Sequence, residues 1–155
     1  MNLRFLKEAG EPTRGRLIYD PPNQEFVFEP FDKPALEGGL VAQYLQLFVE
    51  AGSHRVSWAE GRSAQTSWHG HSLGEPPAID GTVRVSVDAG QLVPGVAVEV
   101  PGAWGWANSF DKGTGWFRSG SVDAAVGPDF VRIAAGTVLE IGEDSLMGIW
   151  LRVTA

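Results

Sequence analysis

Three of the six tryptophans lie between Pro101 and Phe117, in PGAWGWANSFDKGTGWF. Trp104, Trp106 and Trp116 are interleaved there with Asn108, Ser109, Asp111, Lys112 and Thr114, and with Gly102, Gly105, Gly113 and Gly115. An indole face stacks on the apolar face of a sugar or on a partner's side chain, and neighbouring amide and charged groups then fix orientation by hydrogen bonds. Trp104, Trp106, Asn108, Asp111, Lys112 and Trp116 are therefore the candidate ligand-binding residues. On a strand, Trp104 and Trp106 would present both rings to one face. The competing reading is that the rings fill the core, where tryptophan is usually well buried. The glycines and the polar run favour an exposed loop, so the segment is expected to be a recognition surface.

A second constellation is Trp68-His69-Gly70-His71. His69 and His71 on a strand share a face and could chelate a metal, with His54, Glu60 or Glu75 as a third ligand. Such a pair would resemble a cupin-like metal site. The nearby glutamate and distant histidine of that pattern have no clear counterparts here, so the pair is a weak candidate and no metal or cofactor is expected. Asp111 and Asp123 are the carboxylates that the glycine-rich region could bring toward the tryptophans for acid–base work. Among 19 acidic residues, solvated surface charge is the simpler account. No phosphate loop, dinucleotide fingerprint, nucleophile elbow or HExxH is present. No catalytic residue is assigned.

Composition narrows the partners. A net charge of −7 opposes phosphate backbones and anionic membrane surfaces. With no cysteine, disulfides, thiolate metal sites and thiol nucleophiles are excluded. No apolar run approaches membrane-spanning length, and the first residues lack the apolar stretch of a secretory signal. A cytoplasmic location, or one in a virion released by lysis, is expected.

The elements that must position these groups read as strands. Residues 1–15, with Arg4, Lys7 and Arg14, form an arm or an edge strand, and residues 16–155 form one β domain. Arg16–Tyr19 and Glu25–Phe28 pair across Asp20-Pro21-Pro22-Asn23. Leu36–Glu50 carries both helical and strand periodicity. Gly38-Gly39 weakens the helix, and Leu45, Leu47 and Val49 alternate toward Val56 and Trp58, so strands are favoured over one short helix. Val83–Val87 and Val96–Val100 alternate cleanly and are expected to pair through Pro94-Gly95. Phe130–Ala134, Thr137–Ile141 and Met147–Val153 complete the set, with Ile149, Leu151 and Val153 inward and Trp150 opposite. Short strands with Gly/Pro turns define a mainly β, antiparallel sandwich or jelly-roll-like single domain.

Such a domain is expected to act in recognition or assembly without catalysis, binding a glycan or a protein surface through the tryptophan loop. A structural component of a larger particle, of phage tail or capsid type, is the alternative, with homo-oligomerisation or an assembly role for the arm. An immunity protein against a toxin and a cupin-like enzyme complete the readings. A glycan binder of this design needs two of the three loop rings exposed and roughly coplanar.

Overall fold

The computed structural model describes residues 3–87, 96–123 and 126–153. Alternating apolar residues build strands almost throughout: β1 Leu3–Glu8, β2 Gly15–Asp20, β3 Glu25–Pro30, β4 Leu36–Ala42, β5 Leu45–Glu50, β6 Val56–Arg62, β7 His69–Gly70, β8 Ile79–Asp80, β9 Thr82–Val87, β10 Ala97–Glu99, β11 Ala107–Phe110, β12 Trp116–Gly120, β13 Asp129–Ala134, β14 Thr137–Gly142 and β15 Ser145–Arg152. Gln65–Ser67 and Ala103–Gly105 are single 3-10 turns. Among the described residues no helix is long and apolar enough to cross a membrane.

The strands form a six-stranded sheet, β10-β4-β5-β6-β3-β2, and a seven-stranded sheet, β7-β11-β12-β15-β14-β13-β8. The two pack as a sandwich-like single domain. Leu17, Phe26, Leu47 and Val56 of the first sheet share one core with Phe117, Ile133, Leu139, Ile149 and Leu151 of the second. Pairing is antiparallel except where the short edge strands β10, β7 and β8 lie parallel to β4, β11 and β13. A separate ribbon of β1 and β9 links the sheets. Phe5 N–H donates to the Asp144 carbonyl at 2.8 Å on one side, and Val85 N–H donates to the His54 carbonyl at 2.9 Å on the other. Of the arm or edge strand, residues 3–8 pair along their length with β9, and Thr13 bridges to Ala134.

The ambiguous segment Leu36–Glu50 is a hairpin of β4 and β5, not a helix. Ala42 faces Leu45 across the two-residue turn Gln43-Tyr44, and an irregularity lies between Leu36 and Gly38. Cross-strand pairing overrides the helical stripe because Leu40, Ala42, Leu45, Leu47 and Val49 all reach the core only in the extended conformation. Val49 meets Val56 and Phe48 meets Trp58, as alternation suggests.

Two expectations are corrected. The Val83 and Val96 runs do not pair with each other: β9 pairs with β1, and β10 runs parallel to β4. Alternation marks a half-buried strand but carries no information about its neighbour. Val96 is accordingly half exposed, and Val100 alone of its run is buried. The turn Pro94-Gly95 lies outside the described residues. Trp150 is also buried, although it points away from Ile149 and Leu151. It joins Trp116 and Val138 in a second, smaller core on the outer face of the seven-stranded sheet.

That outer core is covered by the link between β7 and β8, which lie at opposite edges of the sheet. The link crosses this face as a strap, with Gly74 at φ 71 and a tight turn in which Ala78 N–H donates to the Pro76 carbonyl at 2.7 Å. Leu73 and Ala78 pack on Trp116, Val138 and Trp150.

Candidate functional site

Polar side chains from both sheets meet at one opening. A pocket of about 560 Å³ is lined there by Asn23 and Gln24 from the β2–β3 turn and by Gln43, Tyr44 and Leu45 from the β4–β5 turn. Arg62, Ser63 and Ala64 at the end of β6, Ser67, Asn108 of β11 and Ser119 of β12 complete it. Both sheets thus contribute, and Arg62 is the one ionisable side chain besides the Tyr44 phenol.

Its walls are positioned by a few specific bonds. The β4–β5 turn allows only two residues, and Gln43 meets that demand with φ 57. Gln24, on the opposite wall, has φ 53. Positive φ is uncommon outside glycine, and its appearance at two lining residues is a local cost more often tolerated at functional sites than elsewhere. Gln43 Nε2 donates to the Trp106 carbonyl at 2.7 Å, tying the hairpin tip to the tryptophan loop. Gly61 passes beneath the same turn with φ 143, where a Cβ would strike the Tyr44 carbonyl. Ser63 is held from two sides. Its carbonyl accepts from Tyr19 Oη at 2.8 Å and its hydroxyl accepts from Trp68 Nε1 at 2.8 Å. Burial, reinforced by the charge of Asp20, pushes the Tyr19 phenol up, so it stays a neutral donor.

Tyr44 is 70% exposed and Trp104 is 59% exposed, and they meet edge to face with ring centroids 5.6 Å apart and planes at 89°. Gly102 makes this possible: its φ of 79 turns the chain into the 3-10 turn that lifts Trp104 off the sheet. Asn108 Nδ2 lies 3.4 Å from Ser67 Oγ, and Ser119 faces Asn108 across β11 and β12. The Ser119 hydroxyl, buried at the pocket floor, makes no hydrogen bond in the structure. Buried orphan hydroxyls are rare enough to need a reason, such as water or a ligand reaching the floor.

The candidate residues taken from the sequence divide between this site and the opposite end of β11. Asn108 lines the pocket, and Trp104 stands beside it, in edge contact with the lining residue Tyr44. Trp106 contributes its carbonyl, but its ring is 9% exposed and packs in the main core. Trp116 is 2% exposed and belongs to the outer core. The segment is therefore not an exposed loop throughout, and the requirement for two exposed, coplanar loop rings is not met. Glycines at turns let the chain dip in and out of the core, so composition averaged over the segment misplaces individual rings. The second exposed ring comes from Tyr44, at right angles to Trp104, which makes a corner instead of a platform.

Asp111 is also buried. Its carboxylate accepts from Leu73 and Gly74 of the strap at 2.9 and 3.0 Å, and from Gly113 and Thr114 of its own turn at 2.8 and 3.3 Å. These bonds, Gly74 first, hold its carboxyl below the usual range against the opposing effect of burial. Asp111 is a latch for the strap. Lys112 is exposed on the same turn, away from the pocket. Asp123 lies beyond the other end of β12 from Asp111, so the two carboxylates are not a pair.

His69 and His71 are both exposed at the start of the strap. Trp68 before them is partly buried against Tyr19, Phe26, Phe110 and Phe117. Glu60 is engaged elsewhere, accepting from Phe28 N–H and Trp58 Nε1 at 3.1 Å each. Among the described residues no three His, Asp or Glu side chains converge as a metal site.

Sequence reasoning missed Asn23, Gln24, Gln43, Arg62, Ser63, Ser67 and Ser119. Only Gln43-Tyr44 left a signal: an aromatic residue in a two-residue turn between alternating runs has no core to enter. No protein-family model and no curated protein matches the chain. The reading of the site therefore rests on its own chemistry.

Proposed function

We propose that this is a non-catalytic recognition domain that binds a glycan in the pocket between the β2–β3 turn, the β4–β5 turn and the tryptophan loop. The observation that carries the reading is the exposed Tyr44, which lines a pocket of amides and hydroxyls and holds the exposed Trp104 ring against its edge. Aromatic faces take the C–H surface of a pyranose, and Asn23, Gln24, Gln43, Asn108 and the serines offer donors and acceptors to its hydroxyls. A volume of about 560 Å³ suits one or two sugar residues. Among the described residues the lining holds no Asp, Glu or His, and glycoside hydrolysis ordinarily needs a carboxylate pair. That supports binding over turnover.

The test is a glycan array probed with the protein, followed by titration of the best binder against Trp104→Ala and Tyr44→Ala. Each truncation should weaken binding about 30-fold or more, the scale of an aromatic hot spot, with the denaturation midpoint nearly unchanged. Binding that survives both substitutions removes this site as the recognition surface.

A further inference from the structure

The charge in this pocket specifies more than a sugar. Of the nine arginines in the chain, five pair with carboxylates. Arg55 donates to the Glu11 carbonyl and Thr13, and Arg14 and Arg152 lie over aromatic rings. Among the arginines of the described residues, Arg62 is the one with no ion pair, side-chain hydrogen bond or ring contact. A carboxylate is near at hand, because Glu25 is its register partner across β3 and β6. Arg62 does not pair with it and lines the pocket instead, among uncharged lining residues. In a chain of net charge −7, an unpaired guanidinium in such a pocket is suited to an anionic ligand.

We infer that the ligand is an acidic oligosaccharide whose uronic-acid carboxylate is held by Arg62. The inference rests on the glycan reading and names the class of sugar. One arginine balances one monoanionic group, and a net charge of −7 disfavours densely charged anionic chains. Tyr44 and Trp104 then take the ring face, and Arg62 takes the carboxylate through two parallel N–H···O bonds. This division of roles makes two separable demands on the ligand, one of shape and one of charge.

Methyl esters of uronic acids keep the sugar's shape and remove only its charge, so they are the decisive probe. Acidic oligosaccharides (glucuronate, galacturonate and mannuronate series) are titrated beside their methyl esters and sulfated neutral sugars, with wild type and Arg62→Gln. The free acid should bind wild type about 10- to 100-fold more tightly than its ester, the scale of a charge-assisted hydrogen-bonded pair. The preference should fall as salt rises and vanish in Arg62→Gln, which should bind acid and ester alike. Equal binding of acid and ester, or a preference that persists in Arg62→Gln, overturns the inference. So does an Arg62-dependent preference for sulfate over carboxylate. If neutral glycans bind in a Trp104-dependent way without any acid preference, this inference fails and the glycan reading stands. If no sugar of either kind binds, both fail. Arg62 is exposed, so Arg62→Gln should keep the wild-type unfolding midpoint, which confirms that the comparison is between folded proteins.

Discussion

Trp104 and Trp106 sit two residues apart and do opposite things. Trp104 stands on a 3-10 turn with most of its ring in solvent, while Trp106 turns under the hairpin tip into the core. Burial determines the cost of truncation, so Trp106→Ala should destabilise the protein by about 3 to 5 kcal/mol, as core tryptophans do. Equilibrium denaturation of both variants separates the roles. A loss below about 1 kcal/mol for Trp106→Ala would place its ring outside the core. At the same scale, Glu140 shows how buried charge is accommodated. It accepts from Arg118 at 3.0 and 3.1 Å and from Trp150 Nε1 at 2.9 Å, so every strong partner it needs is within the outer core. Such a fully bonded pair lends the sheet's outer face a specific geometry more than it lends net stability.

The strap is the element whose behaviour depends most on a single residue. Four backbone N–H groups converge on Asp111, two from the strap and two from the β11–β12 turn. The carboxyl is held below its ordinary value in the folded protein. A depressed folded-state value stabilises the native state above the unfolded-state pKa, about 3.9, and that contribution is lost as pH falls through the folded-state value. Asp111→Asn keeps the shape and removes the charge. Its melting temperature should lie below wild type at pH 7, and the gap should narrow as pH falls below about 4. A gap that keeps its size as the pH falls and Asp111 protonates would show that the charge on Asp111 does not hold the strap. Hydrogen exchange should find Leu73 and Gly74 less protected in the variant, because their N–H groups lose a charged acceptor.

On the scale of the whole molecule, the β1–β9 ribbon joins the two sheets, and a backbone bridge from Thr13 to Ala134 links them again. Phe5, Val83 and Val85 are almost completely buried between them. Val85→Asp should therefore cost about 3 kcal/mol or more, by placing an unpaired carboxylate in apolar surroundings. The unfolding transition should remain single, because the ribbon shares the main core instead of forming its own. A variant within about 0.5 kcal/mol of wild type in chemical denaturation would mean that the ribbon is peripheral.

By itself the sequence determined the class of fold, because alternation of apolar residues with period two fixes which segments are extended and which face is inward. It located the β2–β3 and β13–β14 hairpins and the turn at Glu143-Asp144, since adjacent runs separated by short Gly, Pro or Asp turns can hardly do otherwise. It also drew attention to the tryptophan segment, which supplies Asn108 to the pocket and sets Trp104 against the lining residue Tyr44. Only the tertiary structure decided which neighbours β9 and β10 take, because strand pairing over long separations leaves no local periodicity. The same holds for the fate of each tryptophan. Trp116 and Trp150 look free on the outer face of their sheet until the strap from Gly70 to Ile79 covers them. The pocket is the clearest case: Asn23, Gln43, Arg62, Asn108 and Ser119 are scattered over most of the chain. Each is an ordinary surface-type residue until two sheets bring them to one opening.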